Sequence, residues 1–235
     1  MTLPLDPESG GGRFPGFDVL AHAAQWDQAT QAVVAARVGR LPDPRFFTPD
    51  EEATARALFD QLLDQREDPR VPVFQLVDTR LAEEQTDGWH YADLPPDDVA
   101  WRNSLAFLDD DARTRCGQRF AECAWDDQSA ILNDINARED QDWHGYAASR
   151  VWSLWTRYAC TAFYSHPSAW DEIGFDGPAY PRGYKNIGVD RLEGFEVHDA
   201  HPELGPAAPS EHARSEHAPS EHSRSGHAPD KGEQR

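Results

Sequence analysis

Helical periodicity with almost no strand alternation is the feature that most constrains this chain. Between Phe17 and Tyr164, apolar residues recur three and four apart, and β-branched runs are missing. Such a pattern cannot furnish the two alternating faces of a sheet. It predicts an all-α fold, a single bundle of about six helices joined by short, proline-containing loops. A first helix is expected over residues 17–38, which lack Gly and Pro and carry Phe17, Leu20, Ala24, Val34 and Val38 at near-helical spacing. LPDPRFFTPDEE then breaks it. Thr48, Pro49 and Glu51 read as a capping box with proline at the first helical position, opening a second helix through Ala53, Ala57, Leu58, Phe59, Leu62 and Leu63.

The remaining helices follow in the same way. EDPRVP precedes a third face of Val73, Leu76, Val77 and Leu81. Asp97 or Asp98 is expected to cap a fourth helix, with Trp101, Leu105, Leu108, Ala112, Cys116 and Phe120 inward and Gly117 inside the pattern. Asp126 and Asp127 open a short fifth around Ile131, Leu132 and Ile135. A sixth, aromatic-heavy helix is expected from Asp142 to Tyr164, with Trp152, Trp155, Tyr158 and Phe163. From Gly205 onward the chain has no large apolar side chain, so this tail is expected to be disordered. No repeat of solenoid length is visible before it.

Charge narrows the partners. The chain carries 42 acidic against 22 basic residues, net −20. A surface so acidic repels phosphate backbones and anionic lipid, which argues against nucleic acid and favours a partner with basic patches. No run of 18 apolar residues occurs, so no membrane span is expected. MTLPLDPESGGGRFPG has no basic n-region, apolar core or twin arginine, so the chain is expected to be cytoplasmic as synthesised. Cys116, Cys123 and Cys160 form no CxxC. They read as small buried apolar side chains, with Cys116 and Cys123 two turns apart on one helix and unable to bridge.

Motifs for chemistry are few. GxGxxG, P-loop, GxSxG and HExxH patterns are absent, and no helix offers the Glu-x-x-His of a di-iron bundle. His22, His90 and His144 read as surface or loop residues. His198 and His201, beside Glu196 and Glu203, are capable of ligation but lie next to the tail. The tail repeats a pentad (SEHAR, SEHAP, SEHSR, SGHAP) that sets His212, His217, His222 and His227 five apart. They are weak candidates for metal binding, with a duplicated low-complexity linker as the other reading. The paired acids read as helix caps and solvated faces.

Residues 163–184, FYSHPSAWDEIGFDGPAYPRGY, hold six aromatic rings, three glycines and three prolines around His166. Two readings are open. His166 with Asp171 or Glu172 could serve a small helical enzyme, although no Ser or Cys nucleophile has a recognisable context. Alternatively the stretch is an irregular loop held by another protein, or wraps back over the bundle's open end. Tyr164, Trp170, Phe175, Tyr180 and Tyr184 are residue types enriched in interface hot spots, and Arg182 is a lone cation able to fork onto a carboxylate. Pro and Gly fix the loop's path. His166, before Pro167, reads as a C-terminal helix cap rather than a catalyst. Tyr164, His166, Trp170, Phe175, Tyr180, Arg182 and Tyr184 are therefore the candidate partner contacts, with no catalytic residue expected.

TAFYSHPSAWDEIGFDGPAYPRGYKNIG, residues 161–188, resembles the end of the gluconate 2-dehydrogenase subunit 3 family. FFTPDEEATARALFDQLL is similar to that family's opening helix, and WRNSLAFLDDDARTRCGQRFAECAWDDQSAILNDI to its central helix pair. The likeness covers about residues 46–188. It divides the chain into a flexible start (1–16), an N-terminal helix and linker (17–45), the family-like helical domain (46–188), an extension (189–204) and the tail (205–235). It implies an all-helical accessory subunit with no cofactor of its own. Its partner would be a large FAD-dependent oxidoreductase of the glucose–methanol–choline (GMC) type, acting on a sugar, sugar acid or alcohol. Many relatives carry a twin-arginine export signal, which this N-terminus lacks. The pair is then expected to stay inside, or to be co-exported on the partner's signal.

Overall fold

The computed structural model of the chain describes residues 13–66, 71–188 and 191–201. Where one continuous N-terminal helix is expected, two pieces occur: a 3-10 helix, Val19–Gln25, and then α1, Gln28–Val38. The division has a local cause. Asp18 accepts from the Leu20 amide and Asp27 from the Thr30 amide, so each acid caps a fresh helix start. Between them Trp26 is extended and buried.

α2, Pro49–Leu62, starts with the expected reciprocal cap: the Thr48 hydroxyl accepts from the Glu51 amide, and the Glu51 carboxylate accepts from the Thr48 amide at 2.8 Å. α3 spans Val73–Ala82 and α4 Asp97–Cys116. α4 stops short of Phe120 because Gly117, at φ 74°, turns into the left-handed region and closes the end with a bond to the Arg113 carbonyl. Cys116 and Cys123 consequently lie on different elements, and the chain's return brings the two thiols together. Burial and the neighbouring Cys116 push the Cys123 thiol up to about 12. Cys160, expected to be buried, is exposed on α6.

α5 is Trp125–Asn136. The sixth helix then starts later than its apolar pattern suggests. Asp142–Trp143 (β1) and Tyr146–Ala147 (β2) pair antiparallel across His144 and Gly145, both at positive φ (52° and 87°). This two-residue turn, with both central residues left-handed, reverses the chain into α6, Ala148–Tyr164. A seventh helix, α7, Pro167–Ile173, lies inside the stretch expected to be irregular. The described residues are thus all-α apart from four in that hairpin. None of their helices is long and apolar enough to cross a membrane.

α6 is the axis of the core, packing on α2, α3, α4, α5 and α7. Trp101, Trp143, Trp155, Tyr158, Phe59 and Phe120 are fully buried around it. Three acids are buried acceptors, and two of them, Asp97 and Asp109, belong to the paired acids expected as caps and solvated faces. Asp78 of α3 accepts the consecutive amides of Arg45, Phe46 and Phe47 at 2.7, 3.0 and 2.9 Å. Asp97 caps nothing and takes the Tyr158 hydroxyl at 2.7 Å. Asp109 takes the Thr54 hydroxyl, the Phe120 amide and Arg119 Nε within 3.1 Å. Asp78 and Asp109 supply acceptors to amides where the backbone turns and cannot bond to itself, and Asp97 satisfies the buried Tyr158 hydroxyl. A second, smaller core of Val19, Trp26, Val34 and Trp170 joins the N-terminal layer to α7.

Candidate docking surface

α6 ends at Tyr164, and two residues later the chain starts α7. His166 sits in the gap as the N-cap of α7, not as a C-terminal cap of α6. Its Nδ1 accepts from the Ser168 amide at 3.2 Å, while its own amide donates to the Phe163 carbonyl at 3.1 Å. Pro167 follows at the first helical position, where its missing N–H costs nothing. Accepting through Nδ1 requires a neutral ring on that side. Burial holds the His166 pKa below its ordinary value, opposed in part by a hydrogen bond to the Arg37 backbone. Asp171, the carboxylate nearest in sequence, is engaged elsewhere. It accepts from the Val19 amide at 2.8 Å, and burial raises its pKa.

The candidate contact residues separate into two sets. Trp170 is only 4% exposed: its ring belongs to the second core, and its Nε1 donates to the Tyr164 carbonyl at 2.6 Å. Arg182 is an internal brace. It donates to Gln25 Oε1 at 2.8 Å and to the Asp176 carbonyl at 2.9 Å, and it lies 3.7 Å from the Phe195 ring centre. Its guanidinium also lies 2.6 Å from Asp176 Oδ2, an ion-pair contact not aligned as a hydrogen bond. His166 is likewise buried. Tyr164, Phe175, Tyr180 and Tyr184 remain on the surface, with Tyr180 67% exposed. Ile173 and Ile187, not singled out in the sequence, join them, and Ile187 is 88% exposed. Its signal was available: a lone large aliphatic residue in a segment of Gly, Asn and Lys.

What holds this surface in shape comes from the other end of the chain. Phe14 packs over Gly174, where a Cβ would fall 2.5 Å from the ring, and Trp26 packs over Gly177 at the same distance. Both glycines are left-handed (φ 67° and 74°), so each position needs Gly for its backbone and for its ceiling. His22 hydrogen-bonds the buried Asp176. Arg13 Nε donates to Asp199 at 2.8 Å, and the Ala200 amide donates to the Arg13 carbonyl at 2.7 Å. The amides of Lys185 and Asn186 both point to the Glu193 carboxylate. The Tyr180–Pro181 bond is cis. Residues 13–27 therefore form a clasp with 171–188 and 191–200, and the strap beyond α7 displays its rings from a braced backbone.

Two other possibilities have less structure behind them. A cleft of about 510 Å³ is lined by Arg45, Arg80 and Arg102 with Asp97 and Tyr158. Its arginines are committed to Glu83, Asp87 and Glu51. Among the described residues, no three His, Cys, Asp or Glu side chains converge as a metal site requires. His212, His217, His222 and His227, with the rest of the expected disordered tail, lie outside the described residues.

Comparison with known families gives one result. The family model described as gluconate 2-dehydrogenase subunit 3 matches residues 49–177. The match opens on the first residue of α2 and closes on Gly177, leaving α1 and most of the strap outside it. Comparisons with curated proteins and with solved structures find no match. With more than half its length matched, in a helical bundle, the chain belongs to the gluconate 2-dehydrogenase subunit 3 family.

Proposed function

We propose that this chain is a non-catalytic small subunit that binds a large FAD-dependent GMC-type oxidoreductase and stabilises it or assists its maturation. The family match is the observation that carries the reading, since the family is named for a subunit of a dehydrogenase. The partner would oxidise a sugar, sugar acid or alcohol and would hold the FAD, with no cofactor in this chain. The pair would stay in the cytoplasm unless the partner carries an export signal. Docking would run through the strap, where Tyr164, Phe175, Tyr180 and Tyr184 offer large amphipathic rings on a rigid frame. Trp170, His166 and Arg182 would serve it from within, by fixing the path of α7 and the strap.

Co-expression with the flavin-dependent large subunit of the same host tests the reading. The expected result is a stable, yellow complex, with less flavin retained by the large subunit expressed alone. Tyr180→Ser with Tyr184→Ser should weaken binding by about tenfold or more, at about 1–2 kcal/mol for each interface ring removed. The melting temperature of the isolated chain should stay unchanged, because both rings are mostly exposed. Turnover by the isolated chain, lost on His166→Ala, would sink the proposal in favour of an enzyme.

A further inference from the structure

Cys116 and Cys123 meet because the helix expected to hold them apart ends early. α4 stops at Cys116, and Gly117, at φ 74°, turns the chain through a left-handed step that a side chain would strain. Residues 118–123 then return along α4 instead of extending it, and their path is braced by three helices. Arg119 donates to Asp109 of α4 at 2.9 Å and to Asp50 of α2 at 3.0 Å, and the Phe120 amide donates to Asp109 at 3.1 Å. The Phe120 carbonyl accepts from Gln128 of α5 at 2.8 Å and from the Cys123 amide at 3.2 Å.

Inside this turn, Cys123 Sγ donates to the Arg119 carbonyl at 3.4 Å and also contacts the Cys116 thiol. The two thiols differ in access. Cys123 is 7% exposed and belongs to the main core, whereas Cys116 is half-buried beside the exposed Gly117 and Gln118. Packing as a small apolar side chain accounts for either cysteine alone. It does not call for two sulfurs in mutual contact, one of them open to solvent.

We infer that Cys116 and Cys123 are a dithiol modification site, oxidised by peroxide to a disulfide that locks the end of α4 to the start of α5. Cys116 is the thiol that the oxidant reaches. Its thiolate sulfur attacks one peroxide oxygen, the O–O bond breaks, and the departing hydroxide takes a proton and leaves as water, giving a sulfenic acid. The Cys123 sulfur then gives up its proton and attacks the Cys116 sulfur, the S–O bond breaks, and a second water leaves. The pair loses two electrons and two protons, and the peroxide takes both. Burial keeps Cys123 protonated at neutral pH, so the second step is the slower one and should quicken as pH rises. In a thiol-reducing compartment such a bond works as a reversible sensor rather than a permanent staple. The inference stands whether or not the strap docks a flavoprotein.

The test uses full-length Cys160→Ser, which removes the exposed third thiol and keeps the pair. After hydrogen peroxide, the thiols titratable in denaturant should fall from two to none, the intact mass should drop by two hydrogens, and dithiothreitol should reverse both changes. Trypsin cuts after Arg115, Arg119 and Arg138, so the bridge should appear as residues 116–119 joined to 120–138. The melting temperature should rise by about 5 °C or more, since the unfolded chain is now constrained. Adding Cys123→Ser should stop the reaction at a sulfenic acid on Cys116, trapped by dimedone, with circular dichroism checking that the chain still folds. Survival of both thiols, or conversion of Cys116 to a sulfinic acid while Cys123 stays titratable, would overturn the inference. So would a bridge that forms only in urea, or one that lowers the melting temperature, since the folded positions would then not accommodate it.

Discussion

His166 is the residue whose sequence context misleads most. Beside proline at a helix junction it suggests a donor to the helix that ends there, or a catalyst; in the fold its Nδ1 accepts an amide of the helix that begins there. That role makes it a titrating element of stability. Its pKa is lowered in the folded chain, so below the ordinary value of 6.5 the unfolded chain takes up a proton that the folded chain refuses. Stability should therefore be full above that value and fall as pH drops towards the lowered one. Asp171, raised by burial, acts with the opposite sign: its contribution grows as pH falls. Asn accepts well at an N-cap and does not titrate. His166→Asn should match the wild type at about pH 7.5 and flatten the decline towards about pH 5.5, as read from urea midpoints. An unchanged slope would place the sensitivity elsewhere.

At the scale of elements, the pattern most open to reading in the sequence was the one made by neighbours in the chain. The capping box at Thr48, the apolar faces of α2, α3 and α5 and the all-α class all follow from spacings of a few residues. Two of the misplaced boundaries share a cause. Trp26 and His144 have side chains that fit a continuing helix; what breaks them is capping by Asp27 and a left-handed His–Gly turn. α7, by contrast, is hidden in a stretch whose glycines and prolines suggest an irregular loop, and it starts at Pro167 behind the His166 cap. The buried acids and the clasp were not legible, since Asp176 and His22 lie 154 positions apart. Two glycines test the clasp directly. Gly145 and Gly177 are both left-handed, but a Cβ on Gly145 meets open space and one on Gly177 meets the Trp26 ring at 2.5 Å. Gly145→Ala should cost about 1 kcal/mol for its backbone alone. Gly177→Ala should cost about 2–4 kcal/mol, the excess being overpacking against Trp26. Denaturant unfolding of the two variants measures the difference, and equal costs would mean that Trp26 yields freely.

Across the whole molecule, the matched family span is a bundle complete in its own core, and the sequence on either side of it closes into the clasp. The consequence is a specific dependence on where the chain is cut. The described contacts end with Asp199 and Ala200 on Arg13 and with Asp199 on the His201 amide. A chain ending at His201 keeps all of them, and it should melt at the full-length temperature and bind the large subunit as tightly. It should also lose retention on an immobilised nickel column, because His212, His217, His222 and His227 are gone. Docking preserved without metal retention would separate the histidine repeats from the subunit's main role, whereas loss of both would favour metal binding by the tail as part of that role. Cutting back to Gly188 removes Glu193, which receives the Lys185 and Asn186 amides, along with Phe195 and Asp199. That shorter chain should retain the α2–α6 bundle but release the strap. Its helical signal would then survive while its affinity for the large subunit falls, since a strap freed from its braces must be ordered again at the moment of binding.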